Sequence, residues 1–305
     1  MAEQWRVIDL CGFEGELRST RGGVEVCPEE GASTTIPVAE VAVVLVGMKV
    51  ALSAAVLHRL AEADVAVLFC DWRGIPEGGC YSWSDHGRVA ARHRAQAEVS
   101  LPRKKNAWAR LVRATIEGQA SVLDNLKIRG SGELLALADQ VRSGDPGNVE
   151  AQAARLYWSR ALGKGAGRQN ADGQLIGANA CLDYGYSVLR GHLMRAVRDA
   201  GLAPALGVFH RGRGNAFALA DDLIEPFRPA IDEVALVLPP TASPSDRSVK
   251  QLLVAAALQR FDRNGHGIPA VAEALAQSFG RYVEGDIDRL SVLSWQGPSV
   301  VGAGD

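Results

Sequence analysis

The chain has 305 residues, of which 47% are hydrophobic and 22% are charged, and its formal net charge is −2. This length predicts one large domain or two ordinary domains with a substantial hydrophobic core. The charge excludes a globally basic nucleic-acid-binding protein, although a local basic face would still bind phosphates.

The five cysteines are odd in number and scattered along the chain, and none forms a CxxC pair. This distribution argues against a zinc ribbon or a disulfide framework and indicates a reduced compartment. The N-terminal sequence MAEQWRVIDL lacks the basic and apolar regions of a signal peptide. The apolar run VAVVLV at 41–46 is far too short to span a membrane, so we expect a soluble cytoplasmic protein without membrane contact.

The first part of the chain is predicted to be rich in β-strands. WRVIDL, GELRST and GVEV are separated by glycine-containing turns, and VAVVLV is rich in β-branched residues. Residues 52–63 have helical spacing of apolar residues, and VAVLFC at 65–70 is again typical of a strand. DWRGIPEGGC at 71–80 has the composition of a linker, so we assign residues 1–76 to a small β-rich domain with one helix.

The rest of the chain is predicted to be helical, which gives an α+β protein with a larger all-α domain at 77–305. Ala-, Leu- and Arg-rich segments are separated by breaks that contain Gly, Pro, Asn or Asp. The predicted helices cover roughly 85–100, 107–127, 132–142, 149–162, 176–200, 216–236, 246–261 and 268–284. The final residues, GPSVVGAGD, have the composition of a frayed terminus.

The stretch GVFHRGRGNAFALADDLIEPFRP at 207–229 carries candidate metal ligands. Asp222 and Glu225 are three residues apart, so on a helix they share one face, and His210 lies in the loop just before them. One nitrogen and one or two oxygen ligands form half of a site for Mg²⁺ or Mn²⁺. Alternatively, His210 is an ordinary surface histidine, and the acids interact favourably with the positive end of the helix dipole. Pro226 also interrupts the helical pattern.

A second candidate is Glu150, in the helix predicted from GNVEAQAARLYW at 147–158. Asn148 is placed to cap this helix. Glu150 heads the inward stripe, which continues through Ala153, Ala154, Tyr157 and Trp158. A carboxylate at the head of a buried stripe is unusual. Alternatively, Glu150 has no catalytic role and only interacts with the helix dipole from the first turn.

Two basic islands interrupt the otherwise balanced charge. Residues 151–171 hold four basic residues and no acid, and residues 86–113 hold eight Lys or Arg and the single acid Glu98. Such islands favour a surface that faces phosphates. Alternatively, the basic residues of each island simply form a solvent-exposed face of a helix.

Three motifs in combination resemble the CRISPR-associated integrase, the large endonuclease subunit of the spacer-acquisition complex. They are NVEAQAARLYW at 148–158, ANACLDYGY at 178–186 and the 207–229 stretch, which occur in the order typical of that family. The resemblance covers about residues 5–285. LDYGY and DLIEPFRP are most similar to the type II branch.

The resemblance implies that Glu150, His210 and Glu225 are catalytic and bind a divalent metal, Mg²⁺ or Mn²⁺. It implies that Asp222 either is a supporting metal ligand or contacts the ligands without binding the metal itself. It also implies that the side chain of Asp221 points away from the metal site. The candidate phosphate contacts are the arginines Arg155, Arg168, Arg211, Arg213 and Arg228.

The implied function is metal-dependent DNA nicking and integration, in which 3′ ends of a captured duplex are joined to the repeat array by transesterification. The implied partners are the prespacer DNA, the CRISPR repeat and leader, a second copy of the chain contacted through the β-rich domain, and a smaller ferredoxin-like subunit. The type II effector nuclease is a further partner to be tested. The alternatives are a metal-dependent nuclease of another repair or defence pathway and a catalytically silent DNA-binding homologue.

Overall fold

The computed structural model describes residues 6–72, 74, 76–82, 86–163, 176–210 and 212–298. The chain divides into two compact units, Met1–Trp83 and Ser84–Asp305. The first unit holds the sheets and the second is built of helices, so the predicted α+β class is confirmed.

The first unit contains two four-stranded sheets and one α-helix. Its elements are β1 Arg6–Leu10, β2 Gly15–Thr20, β3 Gly23–Pro28, β4 Thr34–Pro37, β5 Val41–Val46, β6 Val50–Leu52, α1 Ala54–Glu62, β7 Ala66–Cys70 and β8 Pro76–Cys80. Strands β1, β5, β7 and β8 lie side by side in that order in one sheet, and strands β4, β3, β2 and β6 do so in the other.

Strand β5 is the centre of the first sheet, where it pairs in parallel with β1 and with β7. All six of its residues are buried, which explains why its sequence is a continuous apolar run without alternation. Leu17 and Val24 of the second sheet and Leu60 of α1 belong to the same buried cluster as Val44. The two sheets and the helix therefore share one core.

The predicted linker at 71–80 is wrong in its second half, because Pro76–Cys80 forms strand β8. This strand pairs antiparallel with β7, from Val67 opposite Cys80 to Phe69 opposite Gly78. Proline and glycine are tolerated there because β8 is the edge strand and Pro76 is its first residue. The division between the units consequently falls after Trp83, whereas the sequence predicts it after residue 76.

The second unit is helical, and its elements follow the predicted segments closely. The helices are α2 Val89–Glu98, α3 Leu101–Asn125, α4 Ser131–Ala138, α5 Val149–Ala161, α6 Ala178–Asp199, α7 Ala218–Leu223, α8 Arg228–Ala235, α9 Arg247–Ala256 and α10 Ile268–Glu284. A 3₁₀ turn at Glu225–Phe227 separates α7 from α8, at the proline expected to interrupt the helix. No helix among the described residues is long and apolar enough to cross a membrane.

Helix α3 is the central element of the second unit and packs against α4, α5, α8 and the 3₁₀ turn. Its buried residues include Trp108, Leu111 and Ile116. Helix α6 packs against α7, α8, α9 and α10. The elements that carry the candidate ligands are thus held by two long buried helices.

Gly185 of the LDYGY motif is needed for the close approach of α6 to α8. A Cβ atom at this position would lie 2.4 Å from Cγ2 of the buried Ile231. We expect Gly185→Ala to lower the free energy of unfolding by about 1–3 kcal/mol, because overpacking outweighs the gain in helix propensity. Urea denaturation of the two proteins measures the difference.

Gly132→Ala in α4 is the matched control, since a Cβ atom there would meet nothing within 4 Å. This control is expected to retain or slightly raise stability. Equal effects of the two substitutions would contradict the close-packing explanation.

Candidate active site

Asp222 is the most connected residue of the candidate site. Its carboxylate is fully buried and accepts hydrogen bonds from the backbone N–H groups of Val208, Phe209 and His210. The same carboxylate lies 2.7 Å from Nδ1 of the His210 ring. Because a carboxylate only accepts, Nδ1 donates the proton, and in the neutral ring Nε2 keeps its lone pair. This is the arrangement in which a histidine commonly binds a metal through its second nitrogen.

The contact with Asp222 also determines the protonation of His210. The hydrogen bond to this carboxylate raises the pKa of His210, partly offset by burial of the ring. The negative charges of Asp222, Glu225 and Asp221 add to the increase in pKa. His210 therefore lies in an anionic environment that favours a cation.

Two aromatic rings support the loop that carries His210. Phe209 lies parallel to Trp108 of α3, with ring centroids 4.2 Å apart and an interplanar angle of 3°. The His210 ring meets both rings edge-on, at centroid distances of 6.0 Å from Trp108 and 5.7 Å from Phe209. The loop is thus held by Asp222 on its backbone side and by α3 through its side chains.

Asp221 points away from the site, as the resemblance implies. It forms an ion pair with Arg190 of α6 at 2.8 Å and accepts a hydrogen bond from Asn215 at 2.8 Å. Asp221 thereby secures the far end of the 207–217 loop to α6.

Glu225 begins the 3₁₀ turn, so Asp222 and Glu225 do not lie on one continuous helix as the sequence predicts. Its side chain is largely buried and forms an ion pair with Arg228 at 3.2 Å. Burial raises the pKa of Glu225, the Arg228 and His210 charges oppose that rise, and the Asp222 charge reinforces it. The guanidinium of Arg228 lies over the Tyr186 ring, 4.8 Å from its centroid.

A buried carboxylate behind these residues, Asp232, connects three helices. Its Oδ2 accepts a hydrogen bond of 2.9 Å from the hydroxyl of Tyr157, and its Oδ1 accepts one from Tyr186. Tyr157 is on α5, Tyr186 on α6 and Asp232 on α8. The same three helices carry or adjoin Glu150, the LDYGY motif and Glu225, so Asp232 fixes their mutual positions.

The start of α5 is fixed by Asp145, and the predicted cap by Asn148 is wrong. The Asp145 carboxylate accepts hydrogen bonds from the N–H groups of Val149 at 2.9 Å and Glu150 at 3.0 Å. Asn148 makes no capping bond and instead adopts a left-handed conformation with φ +49°, which asparagine tolerates better than most residues. Its role is to turn the chain so that Asp145 reaches back to the helix.

Glu150 lies close to the other two predicted ligands. Its pKa is raised to about 7, chiefly by burial and further by the charges of Glu225 and Asp145, whereas the charges of His210 and Arg228 oppose the rise. Glu150 therefore lies within electrostatic range of Glu225 and His210, which belong to a distant part of the chain. In their present positions, no three His, Cys, Asp or Glu side chains of the described residues converge closely enough to hold a metal ion.

The candidate phosphate-binding arginines are placed differently from one another. Arg228 is the one that lies among the predicted ligands, while Arg155 and Arg213 are exposed and Arg168 and Arg211 lie outside the described residues. In the basic island at 86–113, several members have acidic partners. Arg88 and Arg92 pair with Glu284, and Arg113 pairs with Glu117 and Asp139. These pairs favour a structural role for much of that island.

Sequence reasoning missed Asp145, Asp232, Arg190 and the pairing of Trp108 with Phe209. The Asp-Pro-Gly-Asn turn before α5 is a detectable signal for Asp145. The other contacts join residues far apart in sequence, and no local pattern marks them.

Comparison with known proteins agrees with the motifs. The family described as CRISPR associated protein Cas1 matches residues 11–243. The CRISPR-associated endonuclease Cas1 of Neisseria meningitidis serogroup C (strain 8013) is 38% identical over 206 residues. That alignment covers 67% of this chain and 66% of the relative, just under two thirds of its length.

Solved structures share the fold at low sequence identity. A casposase bound to integration product has a TM-score of 0.78 and 16% identity, with 98% of this chain and 96% of that chain covered. A Cas6-RT-Cas1–Cas2 complex has a TM-score of 0.72 and 18% identity, with 96% of this chain and 36% of that chain covered.

The raised pKa of Glu150 leads to a stability prediction. The unfolded chain releases this proton near pH 4.5 and the folded protein near 7, so the wild type loses stability as the pH rises through this window. In EDTA, Glu150→Gln should therefore melt at a higher temperature than the wild type at pH 8, and the gap should shrink toward pH 5. Differential scanning calorimetry checks this trend.

Glu133→Gln is a suitable control, because Glu133 pairs with Arg160 on the surface. Adding Mn²⁺ should stabilise the wild type and leave Glu150→Gln nearly unaffected. If the difference in melting temperature between Glu150→Gln and the wild type did not change with pH, the electrostatic explanation for Glu150 would be contradicted.

Asp222→Asn should disturb both the loop and the histidine. Loss of hydrogen bonds to a buried charge is expected to cost about 1.5–3 kcal/mol of unfolding free energy, measured by urea denaturation. The pKa of His210 should fall, since its hydrogen bond to the Asp222 charge causes most of the increase. Asp221→Asn removes a neighbouring charge without touching the ring and should lower this pKa less. An unchanged His210 titration, followed by NMR, would refute the pairing.

Proposed function

Because the chain belongs to the Cas1 family of CRISPR-associated endonucleases, we propose that it is a metal-dependent DNA endonuclease and integrase that inserts spacers into a CRISPR array. The proposal is supported by the charges of Glu225 and His210 that act on Glu150, and by the hydrogen bond that holds Nδ1 of His210 against Asp222. These residues come from the motifs that resemble the family, and Glu150 precedes His210 by 60 residues and Glu225 by 75 residues.

The donor set fits a divalent cation. Burial and negative neighbours raise the pKa of both Glu150 and Glu225, and the positive charge of Arg228 opposes this rise. A bound Mg²⁺ or Mn²⁺ would relieve this repulsion and find one nitrogen and two carboxylate donors. Glu150, His210 and Glu225 would be the ligands, reached by side-chain rotation, and Asp222 would orient His210 from behind.

The reaction is an exchange of phosphodiester bonds without net hydrolysis. The 3′-oxygen of the incoming strand forms a bond to phosphorus in the array, the bond to the departing 3′-oxygen breaks, and a proton passes from the attacking to the departing hydroxyl. The cation, when bound, would stabilise the negative charge on the phosphate and make the attacking hydroxyl more acidic.

The protein side chains supply position and charge. Arg228, fixed between Glu225 and the Tyr186 ring, offers a positive charge beside the reacting phosphate. The Asp222 carboxylate keeps the His210 lone pair directed outward throughout the reaction. The exposed Arg155 and Arg213, together with Arg168 and Arg211, are assigned to phosphates further along the DNA.

The proposed partners follow from the neighbours. One structural neighbour is bound to an integration product, and another is assembled with Cas2. We assign to this chain prespacer DNA, the repeat and leader, a smaller ferredoxin-like subunit, and a second copy contacted through the β-rich unit. LDYGY and DLIEPFRP support a place in the type II branch, with its effector nuclease as a further partner.

The test is half-site integration by Glu150→Ala, His210→Ala and Glu225→Ala variants, assayed with the smaller subunit in Mn²⁺. Each variant is expected to lose at least about a hundredfold in rate, because a complete ligand set is needed in the transition state. Glu133→Ala and His58→Ala, in exposed ion pairs, are the carboxylate and imidazole controls and should retain activity.

DNA affinity is measured in parallel by fluorescence anisotropy in EDTA. Retained binding with lost integration supports a catalytic role for the three residues. Wild-type integration in any one of the three variants would defeat the ligand assignment. A wild-type protein that binds DNA but integrates in neither Mg²⁺ nor Mn²⁺ would be the catalytically silent homologue.

A further inference from the structure

Phe209 presents one aromatic face to solvent beside the candidate ligands. Its side chain is 47% exposed, although phenylalanine is one of the residues most often buried. The inner face of its ring is covered by Trp108, which is only 2% exposed. The exposed part of Phe209 is therefore the outer face, a flat apolar surface parallel to the buried indole.

The orientation of this face is fixed before any ligand arrives. The Phe209 N–H donates to the buried Asp222 carboxylate at 3.0 Å, and the ring lies within 3° of the plane of Trp108. A side chain held at both its backbone and its ring loses little conformational entropy when a ligand binds. An exposed aromatic residue that only fills space on the surface does not need this double support.

The position of the ring relates it to the reacting end of the DNA. Phe209 directly precedes His210, and the two ring centroids are 5.7 Å apart. A nucleotide whose 3′-hydroxyl lies at the His210, Glu150 and Glu225 cluster has its own base within reach of a ring next to that histidine. Flat nucleobases stack on exposed aromatic faces, with little dependence on base identity.

We infer that the outer face of Phe209 is a stacking platform for the unpaired nucleobase of the nucleotide that carries the reacting 3′-hydroxyl. The inference rests on the proposed function, since the cluster beside Phe209 is where that hydroxyl would react. The platform would place the sugar of the terminal nucleotide and so align its hydroxyl with the target phosphate.

A double-mutant cycle between protein and DNA tests the platform in the complete complex. Half-site integration by the wild type, Phe209→Ala and Phe209→Trp is measured on two DNA ends that are identical except that one has an abasic 3′-terminal nucleotide. The wild type should prefer the end with a base by roughly tenfold. The preference should nearly vanish in Phe209→Ala and return in Phe209→Trp.

The ratio of the integration rates on the two DNA ends distinguishes stacking on a base from mere support of the loop. If Phe209 only keeps His210 in place, Phe209→Ala slows both ends equally and the wild-type preference persists, which would overturn the inference. Leu252→Ala removes an exposed apolar side chain from α9 and should leave the preference unchanged.

A binding measurement keeps this inference distinct from the proposed function. DNA with 2-aminopurine at its 3′ terminus is titrated with the wild type and with Phe209→Ala in EDTA, where no integration occurs. Quenching by the wild type that is lost in Phe209→Ala supports the platform even if no variant integrates DNA. Equal quenching by both proteins refutes the platform, even when integration itself is confirmed.

Discussion

The candidate site depends on the burial of one negative charge, that of Asp222. Removing a carboxylate from water costs several kcal/mol unless hydrogen bonds replace the lost solvation. Three backbone N–H groups and the His210 ring supply those bonds, and they come from three consecutive residues of one loop. This conformation of the loop therefore satisfies the buried Asp222 carboxylate, and the same hydrogen bonds position His210.

A different constraint governs the two carboxylates that face this histidine. Glu150 and Glu225 repel each other and are partly buried, an arrangement that a protein selected only for stability would avoid. They are kept together by Asp232, which ties α5 to α6 and α8 through two tyrosine hydroxyls, and by the cap that Asp145 provides to α5. The surrounding structure thus supplies the energy that holds unfavourable charges close, a common property of functional sites.

Most of the fold could be predicted from the sequence because its signals are local. The helix periods of α3, α5, α6 and α10 and the apolar run of β5 are patterns of neighbouring residues. Strands β4, β6 and β8 are not predicted because they are only three to five residues long and acquire strand structure by pairing with β3, β2 and β7. Glu150, His210 and Glu225 are candidates by residue type and spacing, and the motif resemblance joins them into one proposed ligand set. The capping role predicted for Asn148 is instead fulfilled by Asp145.

What the sequence could not provide is the set of contacts behind the ligands. Asp232, Trp108 and Arg190 contact side chains on distant elements of the chain, and each has an ordinary local sequence context. Each of the three motifs contributes to this set of contacts: NVEAQAARLYW contains both Glu150 and Tyr157, ANACLDYGY contains Tyr186, and DLIEPFRP contains Glu225 and Arg228. Each motif thus contains a residue of the site or of the network that supports it, and a change in one would displace residues in the others. The motifs are therefore best understood as three parts of one packed unit, in which Asp232 and Arg228 join the supporting tyrosines to the carboxylates.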